Sequence, residues 1–351
     1  MRIINIGNKK IGGHNPCFII LEVGINHNGE LDKAIKMIDV AVSAGADAIK
    51  FQTFTAGDFI TDKTITYTYK SQGKEITEPM IDMFERCQFS DKDWEKITDY
   101  CKEKGIIFFS TTPQKDKLDL VLKLGSKAVK VGSDDLVNLP LLDDYSKKGV
   151  PMIIATGMSY LSEVDEAVRT IQKNNKDLII LHCVSSYPAQ PEDLNMNKIK
   201  TLQTAYPDCV VGFSDHSQGA VGAALAIALG AKVYEKHFTL DHNLPGPDHW
   251  FSADTQEVKE VVKAIRQAEQ ALGSPCFEPS ESEIKSKMRE LCHRSMAAKI
   301  SLKKGDVIAK DDIVYKLPGT GIMSKYQDLI VGRVVKEEIK KGELITKNKL
   351  I

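Results

Sequence analysis

Between residues 17 and 270, short apolar runs alternate with longer stretches whose apolar residues recur every three or four positions. The short runs are CFIILEV, DAIKFQTF, IIFFSTT, KAVKVGSD, PMIIATG, DLIILHCV, CVVGFSD and KVYEKHF. Their length, β-branched content and flanking Gly or Pro mark them as buried strands. The stretches between them, such as LDKAIKMIDVAVSAGA, DKDWEKITDYCKEKG, LSEVDEAVRTIQKN and AVGAALAIALGA, read as amphipathic helices. Ser90 stands where an N-cap is needed before DKDWEKI, and Gly45, Gly105, Gly125 and Gly230 stand where helices must stop. Eight strand-then-helix units over roughly 250 residues predict an α/β chain closed as a (β/α)8 TIM barrel. An open, doubly wound sheet is the competing arrangement, but EVGINHNGE after the first strand lacks the Gly-rich phosphate turn of that fold.

Two stretches break the alternation. Residues 55–89, with Tyr67, Tyr69 and the polar KSQGKEITEP, are too long for a turn after the second strand and read as a lid or subunit contact. After the last helix, GSPCFEPSESEIKSKMRELCH reads as a linker ending in a short polar helix. Beyond it one pattern occurs twice, in ISLKKGDVIAKDDI and EEIKKGELITKNKL: Lys303, Lys304, Gly305 and Ile308 match Lys340, Lys341, Gly342 and Ile345. The expected division is a barrel over 1–273, a linker over 274–293 and a small β-rich domain over 294–351.

Charge narrows the partners. With 47 Lys and Arg against 48 Asp and Glu, and no basic stripe interleaved with aromatics, nucleic acid and anionic membrane are poor expectations. No apolar run approaches membrane length, and the basic N-terminus has no small-residue cleavage site after it. Seven scattered cysteines without a CxxC argue against a disulfide frame or a structural zinc site. The expectation is a cytoplasmic protein with reduced thiols.

In a barrel of this kind, working residues sit at the C-terminal ends of the strands. Those ends carry Glu22, Lys50, Gln52, Thr111, Lys130, Ser133, Ser185, Tyr187, Ser214, His216, Glu235 and His237. His216 and His237 end two successive strands, so their imidazoles converge as ligands for a divalent cation. Lys50 and Lys130 interrupt apolar strands, and a buried lysine needs a carboxylate or a bound anion to answer it. With nearby Ser and Thr hydroxyls they describe a phosphate or carboxylate site without a P-loop. Each lysine alone also has a plainer reading, a pair with Glu22 or Glu235. Those two glutamates are the acid/base candidates, and Glu235 shares a strand face with His237. Asp248, in the turn-rich LPGPDH, either folds over the histidines or makes an ordinary Asx turn. His27 and His249 are loop histidines with no strand to fix them, and His182 reads as a hydrogen-bonded core residue.

Taken in order, EVGINHNG, GADAIKFQTF, FFSTTP, KVGSDD, ATGM, LHCVSSYP, VGFSDHS, EKHFTLD and GPDH resemble the sialic acid synthase family. That family includes N-acetylneuraminate, legionaminic and pseudaminic acid synthases, and the closing domain resembles their antifreeze-like (SAF) module. The resemblance implies condensation of phosphoenolpyruvate with a 2-acetamido hexose, giving a nine-carbon 2-keto sugar acid and phosphate. It implies Mn2+, or Mg2+ or Co2+ in its place, held by His216 and His237. Lys50, Lys130, Thr111, Ser133 and Ser214 would grip phosphate and carboxylate. Gln52, Tyr187 and Asp248 would contact the sugar, and Glu22 would handle a water proton. It further implies a homodimer in which each closing domain serves the partner's barrel.

Three departures stand out. The family often has Ser-Gly-Glu after the fourth strand, where this chain has Ser133-Asp134-Asp135. Ser185 stands where an Asn is common. Leu317 precedes Pro318-Gly319 where an Arg is usual, so either a neighbour such as Lys316 substitutes or the sugar differs. Two other readings stay open: a metal-dependent pyruvate aldolase on the same barrel, and a carbohydrate-binding protein without turnover.

Overall fold

A computed structural model describes residues 2–351. The chain folds as two compact units, 1–273 and 274–351. In the first, β1 (Ile4–Ile6) and β2 (Lys9–Ile11) form a hairpin, and β3 (Phe18–Gly24) and β4 (Ala48–Gln52) begin a barrel. A second hairpin, β5 (Thr66–Ser71) and β6 (Lys74–Pro79), lies outside the barrel strands. The barrel continues through β7 (Ile107–Thr111), β8 (Val129–Val131), β9 (Met152–Ala155) and β10 (Leu178–Cys183). It ends with β11 (Val210–Asp215) and β12 (Val233–His237). β12 pairs back onto β3 with His237 opposite Glu22, so the parallel sheet closes and the open-sheet alternative falls away. All eight predicted apolar runs are barrel strands.

The helix stops behave as their chemistry requires. Gly45, Gly105, Gly125 and Gly230 all have φ between 71° and 106°, the left-handed turn that penalises a Cβ. The Ser90 hydroxyl accepts from the Asp93 amide at the start of the helix Asp91–Lys104. Outward-facing residues such as Ile19, Leu21, Phe51, Phe108 and Phe213 pack against the helix layer. Inward-facing residues at the N-terminal ends of the strands form a second core: Phe18, Ile20, Ala48, Ile107, Phe109, Ile179 and Val233. Gly212 belongs to this inner layer, because a Cβ there would come within 2.7 Å of a Leu181 methyl.

Two features lay outside the sequence expectations. The β1–β2 hairpin inserts Ile4, Ile6 and Ile11, each fully buried, into the inner core and forms the barrel floor. Residues 55–89 are not an unstructured connection; they hold the helix Ala56–Phe59, the β5–β6 hairpin and the helix Met80–Arg86. Among the described residues, no helix is long and apolar enough to cross a membrane.

The second unit begins with two short exposed helices, Glu281–Lys285 and Met288–Cys292, where the linker was expected. β13 (Ser295–Ala298) and β14 (Ile313–Lys316) then pair antiparallel. The repeated Lys-Lys-Gly segments are matching turns, with φ +92° at Gly305 and +83° at Gly342. After each turn an isoleucine, Ile308 or Ile345, enters a small core with Met296, Leu302, Val335 and Ile339.

Candidate active site

In several strands period-two alternation carries the inward face from apolar to charged at the C-terminal end. In β3 the inward sequence is Phe18, Ile20, Glu22; in β4 it is Ala48, Lys50, Gln52; in β12 it is Val233, Glu235, His237. Register aligns these positions around the ring: Glu22 opposite Lys50, Gln52 opposite Thr111, Thr111 opposite Lys130, and Ser214 opposite Glu235. A ring of polar side chains therefore lies directly above the dry floor.

Lys50 Nζ lies 2.7 Å from Glu22 Oε2 and 3.9 Å from Glu235 Oε2, and donates to Thr111 Oγ1 at 2.8 Å. Lys130 Nζ lies 3.7 Å from Glu235 Oε1, which also accepts from Ser214 Oγ at 3.0 Å. All four charged groups are at most 3 % exposed. The Lys50–Glu22 contact is close but off the hydrogen-bond line, so neither Glu22 oxygen has an aligned donor. Burial, with the Glu235 charge adding to it, pushes the Glu22 carboxyl up to about 7 against the pull of Lys50. Burial also works against ionisation of Glu235, but Lys130 and Lys50 outweigh it and hold that carboxyl below its ordinary value. With Glu22 protonated, two lysines face one carboxylate, leaving a net positive charge for an anion.

The histidines stand beside this cluster, their ring centroids 5.4 Å apart. His216 Nδ1 donates to the Val184 carbonyl at 2.7 Å, which leaves Nε2 as its ligand atom. Tyr187 covers that ring at 4.2 Å. His237 Nδ1 is buried with no hydrogen-bond partner, and Asp248 Oδ2 lies 4.0 Å from it. Gly24 makes room here, because at φ +55° a Cβ would sit 3.2 Å from His237 Nδ1. Burial drives His237 well below its ordinary value, which keeps the imidazole in its neutral, ligating form. Burial also pushes the Asp248 carboxyl up to about 6. Two imidazoles, one with its tautomer fixed and one with an orphaned nitrogen, fit a divalent cation.

A cavity of about 480 Å³ opens over both groups. Of the residues predicted from sequence, Lys50, Gln52, Thr111, Lys130, Ser133 and Asp135 line it on one side. Ser185, Tyr187, Ser214, His216, Glu235 and His237 line the other. Glu22, paired with Lys50, and Asp248, 4.0 Å from His237, do not line it. Ser133 Oγ accepts from the Gly157 amide at 2.9 Å, and a Cβ on Gly157 would collide with Ser185 Oγ, so these three groups form one tight niche. Asp135 accepts from Asn138, and its carboxyl is raised by burial.

The sequence marked the segment 55–89 and its Tyr67 as a lid or subunit contact but did not single out the apolar side chains of the rim. Phe54, Phe59, Phe84, Tyr67 and Met158 also line the cavity. The three phenylalanines meet edge to face at 5.2–5.7 Å, and their spacing inside a polar segment was the available signal. His182 is a core residue, its Nε2 2.7 Å from the Leu194 carbonyl. His27 and His249 are fully buried: His27 stacks on Phe89 at 4.2 Å, and His249 Nδ1 meets Thr239 Oγ1 at 2.6 Å.

Comparison with known proteins identifies the family. Residues 37–276 match the model of the NeuB family, and residues 293–351 match that of the SAF domain. The chain is 40 % identical to an uncharacterized protein of Methanocaldococcus jannaschii, covering 98 % of each. It is 38 % identical to the N,N'-diacetyllegionaminic acid synthase of Legionella pneumophila, over 93 % of this chain and 94 % of that one. A crystal structure of N-acetylneuraminic acid synthetase from Leptospira borgpetersenii superposes with a TM-score of 0.73 at 34 % identity. That match covers 82 % of this chain and 95 % of the other. The barrel, the ring of strand-end charges and the closing domain thus have one explanation: the chain belongs to the NeuB family and ends in a SAF domain.

Proposed function

We propose that this enzyme joins phosphoenolpyruvate to the open-chain aldehyde of a 2-acetamido hexose, releasing phosphate and a nine-carbon 2-keto sugar acid. The observation that carries the reading is that Lys50, Lys130 and Glu235, with Glu22 paired to Lys50 outside the wall, share one cavity with two converging imidazoles. Lys50 and Lys130 bind the phosphate and carboxylate of phosphoenolpyruvate, with Thr111, Ser133, Ser185 and Ser214 donating hydrogen bonds. His216 and His237 hold Mn2+ or a similar divalent ion, which supplies Lewis-acid polarisation of the aldehyde. The enol carbon forms the new bond to the aldehyde carbon, water adds to the former enol C2, and the C–O bond to phosphate breaks. Glu22, its carboxyl raised to about 7 by burial, handles the proton of that water. Gln52, Asp135, Tyr187 and Asp248 orient the sugar.

The apolar rim and Leu317 favour a deoxy sugar with a second acetamido group over N-acetylmannosamine. Methyl groups suit Phe59, Phe84 and Met158, which offer a hydroxyl no partner. The resemblance alone carries the further reading of a homodimer in which each SAF domain serves the other copy. Light scattering on the full chain tests it, and a monomer that turns over at full rate rejects it.

The decisive assay is phosphate release from phosphoenolpyruvate with Mn2+ across a panel of acetamido sugars. Turnover is expected with a 2,4-diacetamido-2,4,6-trideoxy hexose and is lost in His216→Ala. Condensation of free pyruvate without phosphate release identifies an aldolase instead, and folded protein silent on every sugar rejects the synthase.

A further inference from the structure

His242, Asp254 and Glu257 lie together on the loop that follows β12 and on the first turn of the helix Glu257–Leu272. His242 Nε2 is 3.1 Å from Glu257 Oε2 and 3.6 Å from Asp254 Oδ2. The other ring nitrogen, Nδ1, is 3.2 Å from the His249 carbonyl and donates to it. That bond turns Nε2 and its lone pair toward the two carboxylates. Three acceptor atoms facing one another require a positive charge between them, either a proton on Nε2 or a metal ion.

Asp254 caps the helix through Oδ1, which accepts from the Gln256 and Glu257 amides and leaves Oδ2 free, while Glu257 Oε2 accepts from the Asp254 amide at 2.8 Å and keeps a second lone pair. Zinc bonds of about 2.0–2.2 Å to nitrogen and oxygen place tetrahedral ligand atoms about 3.4 Å apart, close to both distances here. All three groups are about one-third to two-fifths exposed, which leaves room for a water as fourth ligand. A cavity of about 70 Å³ beside His242 and Glu257 leaves room for water. Lys236 also lines it, but Asp215 and the Ser217 carbonyl already engage its ammonium.

We propose that His242, Asp254 and Glu257 form a second, structural divalent-metal site, suited to Zn2+, that clamps the stem of the loop carrying Asp248. The stem is also closed by backbone bonds, Ala253 N to the His237 carbonyl and Thr239 N to the Ala253 carbonyl, and by Asn26, whose Nδ2 donates to the Phe238 carbonyl and to Ser252 Oγ. The loop beyond it receives the β5–β6 hairpin, through Gln72 to the Asn243 carbonyl, the Gly246 amide to Ser71 Oγ, and Lys70 over Trp250. An ion in the clamp therefore steadies one wall of the candidate active site without touching substrate.

The test uses full-length protein with His216→Ala and His237→Ala, so that the proposed catalytic ion site is absent. The exposed Cys276 and Cys292 are changed to Ser so that no surface thiol competes. Dialysis against micromolar Zn2+ followed by elemental analysis is expected to find one ion per chain. Adding His242→Ala, or separately Glu257→Gln, removes it, and amide exchange in residues 239–252 is slower with Zn2+ than without. Absence of zinc in this background, or zinc that persists in both further variants, overturns the site and leaves a proton between the three groups. Because the catalytic histidines are already gone, the result is independent of the synthase reading.

Discussion

The two ends of the barrel interior are built by the same strands and obey opposite rules. At the floor, inward positions are Phe18, Ile20, Ala48, Phe109 and Val233, sealed by Ile4, Ile6 and Ile11. Two residues along, the same faces present Glu22, Lys50, Thr111 and Glu235, and the three charged ones are almost wholly buried too. The floor gains stability from every methylene taken out of water, at about 25 cal/mol per Å². At the mouth, desolvation of each ion offsets its pairing, so a buried ion pair is often no more stabilising than an apolar pair of equal volume. The mouth thus places paired charge where the floor places apolar volume, with the boundary one side-chain layer thick.

The largest effect expected breaks the mouth while sparing the floor. Replacing the 2.7 Å pair together, as Lys50→Met with Glu22→Met, removes both charges without leaving either unpaired. Phosphate release should fall by at least about 1,000-fold, about 4 kcal/mol in the barrier. The melting temperature should hold or rise; a protein that unfolds instead would show that the ionic layer carries stability after all. The converse variant is Ile20→Ala in the floor, where the side chain is fully buried. Unfolding free energy should drop by about 3 kcal/mol, while kcat/KM per folded molecule stays within about twofold. Urea melts and rates on the same samples separate the two.

A smaller effect belongs to pH. The Glu22 carboxyl is raised from 4.5 to about 7, so between those values the native state holds a proton that the unfolded chain has released. That contribution to stability is complete below pH 4.5 and is lost as pH rises through 7. Glu22→Gln should flatten the decline in stability over this window, by on the order of 2 kcal/mol. A melting profile with the same slope in both proteins would place the proton elsewhere in the cluster.

The same contrast decides what was legible in the chain. The eight strands were legible as short apolar runs, and where the interior turns charged, Lys50, Lys130 and Glu235 stood out as interruptions of them. The floor hairpin was silent, since runs of three residues such as Ile4–Ile6 are too short to show a period. Asp248 was visible as a candidate, but its place 4.0 Å from His237 depends on a loop whose path no local pattern sets. His242, Asp254 and Glu257 gave no signal, because ordinary loop and helix-cap residues acquire ligand geometry only when the loop closes.

The smallest expected effect lies at the rim, where apolar residues return above the charged layer and sharpen what the mouth selects. Phe59 and Phe84 pack edge to face at 5.3 Å, part-buried, and both line the cavity. Truncating one of them removes packing against a methyl-bearing substrate but takes no hydrogen bond from a hydroxylated one. One methyl contact is worth about 1–3 kcal/mol in discrimination. Phe84→Ala should therefore lower kcat/KM for a 6-deoxy diacetamido sugar about tenfold relative to N-acetylmannosamine, with the loss mainly in KM. Competition between the two sugars in one reaction, read by product mass, measures that ratio directly. An equal loss on both sugars would make the rim a plain lid, and selection would then rest with the charged layer and the residues around Asp135.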